Sequence, residues 1–277
     1  MKTPLFLAFA LCITTFLTQP ATAQAQTTTE RPLQELFQTE TVYSQEKGEL
    51  QFTFISNFSQ GAAQKLFQTP VAIEYGVADE WQVSVEWSAT NHLTTASGKT
   101  RGPGELRIGA KHSWMNIGHS DFHVAAGFEL GLPTGSTRKG LSEGKFEYEP
   151  YVVVAKDFPK LSHLQIFSQL GLSLARSGSE ALTSIGEAAN KTVEWNNGLF
   201  VPYRRARLTA EINWSKSAAE NSLYFTPGVV WKMPRDLEFG VGVPIWLSPD
   251  ADHFRTIVKL TYEFGGAGRS REVRLTH

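Results

Sequence analysis

Residues 254–264 alternate in character one residue at a time, with Phe254, Thr256, Val258, Leu260, Tyr262 and Phe264 on one side and Arg255, Ile257, Lys259, Thr261 and Glu263 on the other. A period of two belongs to a strand, because successive side chains on a strand point to opposite faces. The same pattern recurs along the chain. Trp81, Val83, Val85 and Trp87 oppose Gln82, Ser84 and Glu86, and Phe122, Val124, Ala126, Phe128 and Leu130 oppose His123, Ala125, Gly127 and Glu129. Ala206, Leu208, Ala210, Ile212 and Trp214 oppose Arg207, Thr209, Glu211 and Asn213, and Leu237, Phe239, Val241, Val243 and Ile245 oppose Glu238, Gly240, Gly242 and Pro244. A chain patterned this way over most of its length folds as sheet.

Turn residues divide the pattern into twelve expected strands, at 49–57, 66–77, 80–90, 104–114, 121–131, 146–156, 163–175, 193–203, 206–215, 222–232, 237–247 and 254–264. The connections 78–79, 115–120, 157–162, 204–205 and 233–236 are short, whereas 91–103, 132–145 and 176–192 are long. Two more, 58–65 and 216–221, are intermediate, and 248–253 is no longer than a turn. Short turns on one side and longer loops on the other predict an all-β, transmembrane antiparallel β-barrel of about twelve strands, up-and-down, with both termini on the turn side. Pro70, Pro150, Pro227 and Pro244 fall within these strands, where each removes a ladder hydrogen bond, so bulges or strand ends are expected there.

A soluble β-barrel would alternate identically, so the environment has to be read from other features. Lys2, an apolar run from Leu5 to Leu17 and the triplet Ala21-Thr22-Ala23 form the pattern of a secretory signal, with cleavage expected before Gln24. The apolar run falls short of the roughly 20 residues a helix needs to cross hydrocarbon. The one cysteine, Cys12, lies inside that signal, so no disulfide is expected in the exported protein. Trp87, Trp195 and Trp214 fall toward the loop ends of their strands, and Tyr75, Trp81, Trp114 and Trp231 toward the turn ends, all facing outward as an aromatic girdle would. Trp246 is assigned inward and is the exception. A mean hydropathy of -0.22 suits a barrel that is apolar outside and polar within. The expected organisation is a signal peptide over 1–23, a periplasmic segment over 24–48, an outer-membrane barrel over 49–264 and a periplasmic tail over 265–277. Outer-membrane lipid and the barrel-assembly machinery are the partners this implies.

The inward faces carry Glu74, Glu86, Glu105, Arg107, Lys111, Glu129, Glu147, Glu149, Glu194, Arg207, Glu211, Glu238, Arg255, Lys259 and Glu263. These lumen-lining groups can bond to one another and fill a narrow interior, or can line a hydrated path whose charge sets selectivity. Arg255, Lys259 and Glu263 on the last strand are expected to help order an internal ion-pair network. A net charge of -1 argues against a nucleic-acid partner. His119-x-Asp121-x-His123 has a metal-like spacing, yet it begins in an expected turn with no fourth ligand nearby, which reads as a solvated turn. Gly135 to Gly140 has the glycine spacing of a phosphate loop, but Leu141 stands where lysine is required. No cofactor motif follows from the sequence. His92, His112, His163 and His253 have no serine placed with them on a shared outward face, so an embedded lipid hydrolase or acyltransferase is not expected.

Four segments resemble a known family. Glu74-Tyr75-Gly76-Val77-Ala78-Asp79-Glu80-Trp81-Gln82-Val83, Gly102-Pro103-Gly104-Glu105-Leu106-Arg107-Ile108-Gly109, Gly131-Leu132-Pro133-Thr134-Gly135 and Pro227-Gly228-Val229-Val230-Trp231 are similar to the outer-membrane transporters associated with phenol meta-cleavage pathways. The likeness spans most of residues 50–264 and implies a barrel of this type that passes small aromatic or otherwise hydrophobic compounds. It implies no catalytic residues. The chain departs from such barrels in running past Phe264 to His277. A non-conducting barrel that acts through its loops is the alternative.

Overall fold

The computed structural model describes residues 36–177, 190–249 and 253–265. The expected signal peptide, most of the expected loop 176–192 and nearly all of the tail lie outside the described residues.

Among the described residues fourteen strands form, β1 Leu50–Gln60, β2 Gln64–Ala78, β3 Trp81–Thr95, β4 Gly98–Gly102, β5 Leu106–Trp114, β6 Phe122–Leu132, β7 Lys145–Phe158, β8 Leu164–Ser177, β9 Asn190–Tyr203, β10 Ala206–Lys216, β11 Asn221–Met233, β12 Leu237–Gly242, β13 Ile245–Trp246 and β14 Phe254–Phe264. Each wall strand pairs antiparallel with its chain neighbour, and β1 pairs with β14 from Leu50↔Phe264 to Gln60↔Phe254, closing the cylinder. β4 pairs only with β3, and β13 continues the stave that β12 begins, so the wall is a closed antiparallel barrel of twelve staves. Closure leaves no sheet edge unpaired along most of the wall.

Alternation sorts the side chains as the sequence requires. Phe54, Ile73, Val85, Ile108, Leu170 and Leu260 stand exposed on the outer face, while Gln51, Thr53, Lys111, Gln169, Arg207 and Glu211 are buried on the inner one. This inverts a soluble protein and suits hydrocarbon outside. The expected girdles are in place: Tyr75, Trp81, Trp114 and Trp231 are exposed at the turn ends, and Trp87 and Trp195 at the loop ends. His112 stacks on Trp81 and meets Trp114 edge-on, each at 4.4 Å between centroids. Trp214 is only half-exposed and donates to Asn221 at 2.9 Å. Trp246 lies opposite Tyr224 and packs on His253 at the loop rim.

Three of the four strand prolines interrupt their ladders as expected, and one expected loop is strand instead. The expected strand 237–247 is broken at Val243-Pro244, because proline brings no N–H to the ladder; β12 pairs with β14 only as far as Gly242↔Ile257, and Ile245–Trp246 pairs with β11 alone. At Pro70 the β2–β3 register shifts, as a bulge requires, and at Pro150 the β7–β8 ladder skips from Tyr148↔Leu174 to Tyr151↔Gly171. Pro227, by contrast, keeps its place opposite Ala210, and the interruption falls instead on the β12 side of β11. Finally, the expected loop 91–103 is mostly hairpin: β3 runs on to Thr95 and returns as β4 through a turn at Ala96-Ser97, with Gly98, the first residue of β4, at φ 139°. The threonines 94, 95 and 100 favour that extension.

Candidate functional site: the lumen and the segment that crosses it

Residues 36–46, expected outside the barrel, lie among its inward side chains, and Lys47 and Gly48 are exposed at the turn end. The segment is held by a set of inward polar groups that it satisfies. Glu211 is buried and accepts hydrogen bonds from the backbone N–H of Phe37 at 2.8 Å, that of Gln38 at 2.9 Å and the Thr39 hydroxyl at 2.8 Å. Gln38 donates to Asn213 and Thr226, and Arg255 donates to Gln38. Lys259 donates to the Leu36 carbonyl at 2.6 Å, and Lys111 donates to Glu40 at 3.0 Å. Further along, Gln165 donates to the Tyr43 hydroxyl, and Asp157 lies 3.5 Å from it. Burial first, and then the Asp157 carboxylate, push the Tyr43 phenol above the usual tyrosine range, so it stays protonated. Gln45 bonds Gln82, Gln51 and Glu74 before Gly48 joins the backbone of Gly76. The segment thus passes from β2 and β3 across the interior to β10 and β11.

Its apolar side chains have seats of their own. Leu36, Phe37, Val42 and Tyr43 are buried with the inward-facing Val153, Phe167, Phe200, Val230 and Ile257. Two glycines leave room for them: a Cβ on Gly198 would stand 2.3 Å from Leu36, and one on Gly228 would stand 2.2 Å from Phe37. Each buried Leu or Phe contributes about 1.5–3 kcal/mol.

On the loop side of the segment lies a cavity of about 260 Å³. Residues 36–40 line one side of it, and its charged wall consists of Glu40, Glu74, Glu86, Glu129, Glu149 and Glu194 against Arg107 and Lys259. Arg107 is the hub of this wall. It donates to Glu149 at 2.6 Å and to Glu147 at 2.7 Å, and stands 3.8 Å from Glu129. Ser173 donates to the second oxygen of Glu147 at 2.6 Å. Six carboxylates facing two cations give the cavity a negative field.

The structure brings most of the fifteen sequence-predicted residues together. Glu74, Glu86, Arg107, Glu129, Glu149, Glu194 and Lys259 line the cavity, with Glu147 bonded behind it. Lys111, Glu211 and Arg255 hold the segment instead, and Arg207 pairs with Glu238 at 3.0 Å nearer the turns. Glu263 is buried at the turn end of β14. Glu105 precedes β5 and accepts from Ser142 of the 132–145 loop at 2.7 Å, so it belongs to the rim. The network expected among Arg255, Lys259 and Glu263 is thus shared out, since two of the three reach residues 36 and 38. His119 and Asp121 are exposed in their turn, but His123 is buried, accepts from the Asn116 N–H and faces Asp157 at 3.3 Å; the solvated-turn reading fails for it because it is the first inward residue of β6. Among the described residues no group of metal-ligating side chains is gathered.

No family model and no curated protein matches the chain. Solved structures do. A COG4313 outer membrane channel from Pseudomonas putida F1 aligns over 80% of this chain and 97% of its own, at 12% identity and a TM-score of 0.61. The KdgM porin aligns over 78% and 99%, at 12% identity and 0.52, and the NanC porin over 76% and 97%, at 9% identity and 0.52. At these identities the likeness is one of fold: the chain shares the β-barrel architecture of outer-membrane channels.

Proposed function

We propose that the protein is an outer-membrane barrel, exported through residues 1–23, that passes small solutes passively through a narrow, acidic lumen. The observation that carries this reading is the closed wall with an apolar outer belt around a polar interior that still holds a cavity of about 260 Å³. That volume lies just below the range of pockets for drug-sized ligands, roughly 300–1,000 Å³, which favours small cargo. The names of the similar structures, two porins and an outer membrane channel, support a channel over an enzyme or an adhesion barrel. Insertion of such a barrel would engage outer-membrane lipid and the barrel-assembly machinery.

A preference among solutes follows from the lining. Carboxylates outnumber cations around the cavity, so small cations and neutral molecules pass more readily than anions. Leu36, Phe37, Ile55 and Tyr151 also line it, which supports the family resemblance in admitting small aromatic compounds such as phenols.

The test is conductance of the refolded, signal-free protein in planar bilayers, after heat-modifiable migration has established a closed barrel. The expected result is small, discrete steps with a reversal potential displaced toward cations in a potassium chloride gradient, and reduced by a small phenol. A closed barrel that never conducts would remove the channel reading and favour the loop-acting alternative. Anion preference would remove the assigned role of the carboxylates.

A further inference from the structure

Inside the barrel the cations are answered: Arg107 by Glu147 and Glu149, Lys111 by Glu40, Arg207 by Glu238 and Lys259 by the Leu36 carbonyl. On the outer surface at the loop end several cations are not, and three of them cluster. Lys65, Lys99 and Arg101 are exposed, and among the described residues none forms an ion pair.

Register puts these three on one face. Lys65 lies opposite Thr94, which lies opposite Lys99; one step lower Phe67 lies opposite His92, which lies opposite Arg101. Residues directly opposite on neighbouring strands share a face, as do residues two apart on one strand. That face is the lipid-facing one, because Phe67 continues down β2 through Val71 to the exposed Ile73. Two strand spacings separate Lys65 from Lys99 by roughly 10 Å, and two residues separate Lys99 from Arg101 by roughly 7 Å. Lys65 and Lys99 therefore sit one step above the Phe67 and His92 rings, which pack at 6.1 Å, and Arg101 lies beside them, where an apolar wall passes into a polar layer.

The patch is also held in place. On the other side of the hairpin, Thr100 donates to the Lys139 carbonyl at 3.0 Å, and Lys139 donates to the Arg101 carbonyl at 3.1 Å. Leu141 is buried there, and Gly140 approaches Leu93. The loop 132–145 thus buttresses β4 against the wall and adds Arg138 and Lys139, both exposed, to the same end of the barrel.

We propose that Lys65, Lys99 and Arg101 form a docking surface for the phosphorylated headgroup of an outer-leaflet glycolipid, whose acyl chains lie along Phe67 and the apolar wall below. Phosphate groups match the charge, a saccharide headgroup matches a triangle of this size, and a lipid matches the continuity with the apolar belt. The inference rests on the outer-membrane reading, with the loops facing the outer leaflet.

The test uses the folded, signal-free protein in detergent, with closed-barrel migration confirmed for each variant. Purified lipopolysaccharide, the same lipid after dephosphorylation, and phosphatidylglycerol are titrated, and apparent affinity is read. The Lys65→Gln, Lys99→Gln, Arg101→Gln triple variant is expected to bind lipopolysaccharide about tenfold more weakly or worse, since each cation near a charged surface counts. Dephosphorylation is expected to weaken wild type to the same level. An Arg204→Gln, Arg205→Gln, Arg235→Gln variant, altered at the opposite rim, is expected to bind as wild type does. Equal affinity of the first triple variant and wild type overturns the proposal, as does equal binding of dephosphorylated lipid or of phosphatidylglycerol. Failure of the wild-type protein to form a closed barrel would instead strike at the proposed function itself.

Discussion

Removing residues 24–45 from the refolded protein is expected to raise its single-channel conductance several-fold while leaving the heat-modifiable migration of the barrel unchanged. Residues 36–45 reach from Gln82 on β3 to Glu211 on β10, so they occupy cross-section that ions would otherwise use. The wall does not depend on them for closure, because β1 pairs with both β2 and β14 through its own ladder. A single substitution tests the same attachment more gently. Glu211→Ala leaves the N–H groups of Phe37 and Gln38 and the Thr39 hydroxyl without their acceptor, and each buried polar group left unpaired costs about 1–3 kcal/mol. Even about 3 kcal/mol shifts the ratio of seated to unseated segment by roughly a hundredfold. Glu211→Ala recordings should therefore show openings to the level of the truncated protein, and Glu211→Gln, which keeps one acceptor oxygen, should show fewer. Unchanged conductance in the truncated protein would mean that the constriction lies elsewhere, at the Arg107 wall.

The sequence made the wall legible and the segment across it illegible, for one physical reason. Strand identity is local: the alternation over 254–264 or 206–214 needs no partner to be read, and even Pro244 announced a break. What holds residues 36–48 is non-local. Phe37 and Glu211 are 174 positions apart, and a run such as Gln38-Thr39-Glu40-Thr41 has the composition of a solvated linker. The apolar pairs Leu36-Phe37 and Val42-Tyr43 were the available hint, since a tail in water gains nothing from burying them. The same limit applies to the charges. Arg107 and the carboxylates could each be assigned to the inner face, but which of them meet depends on register, and register is fixed by pairing across the whole sheet. Glu105, just before β5, meets Ser142 of the 132–145 loop, a contact that alternation alone does not show.

Arg107 should be the most sensitive charge in the lumen, both for stability and for selectivity. Its guanidinium holds Glu147 and Glu149 at 2.7 and 2.6 Å with Glu129 close by, so Arg107→Ala would leave three carboxylates crowded around an empty centre. Losing one partner of a fully buried pair costs about 3–5 kcal/mol. The Arg107 side chain is 33% exposed, so water takes up part of the loss and the expected cost is nearer about 2 kcal/mol. Denaturant midpoints of the folded barrel would show it. The decisive comparison is Arg107→Ala against Arg107→Ala with Glu147→Gln and Glu149→Gln. If repulsion among the carboxylates is the cause, the triple variant recovers most of the stability; if lost packing of the long side chain is the cause, it recovers none. Selectivity separates the variants in the opposite sense. Arg107→Ala removes one of two cations from the cavity lining and should displace the reversal potential further toward cations, whereas Glu147→Gln with Glu149→Gln on the wild-type background should displace it toward zero. Raising the salt from about 0.1 to 1 M shortens the screening length from roughly 10 to 3 Å, so all of these differences should shrink together. A selectivity that ignores both the substitutions and the salt would place the filter outside this cluster.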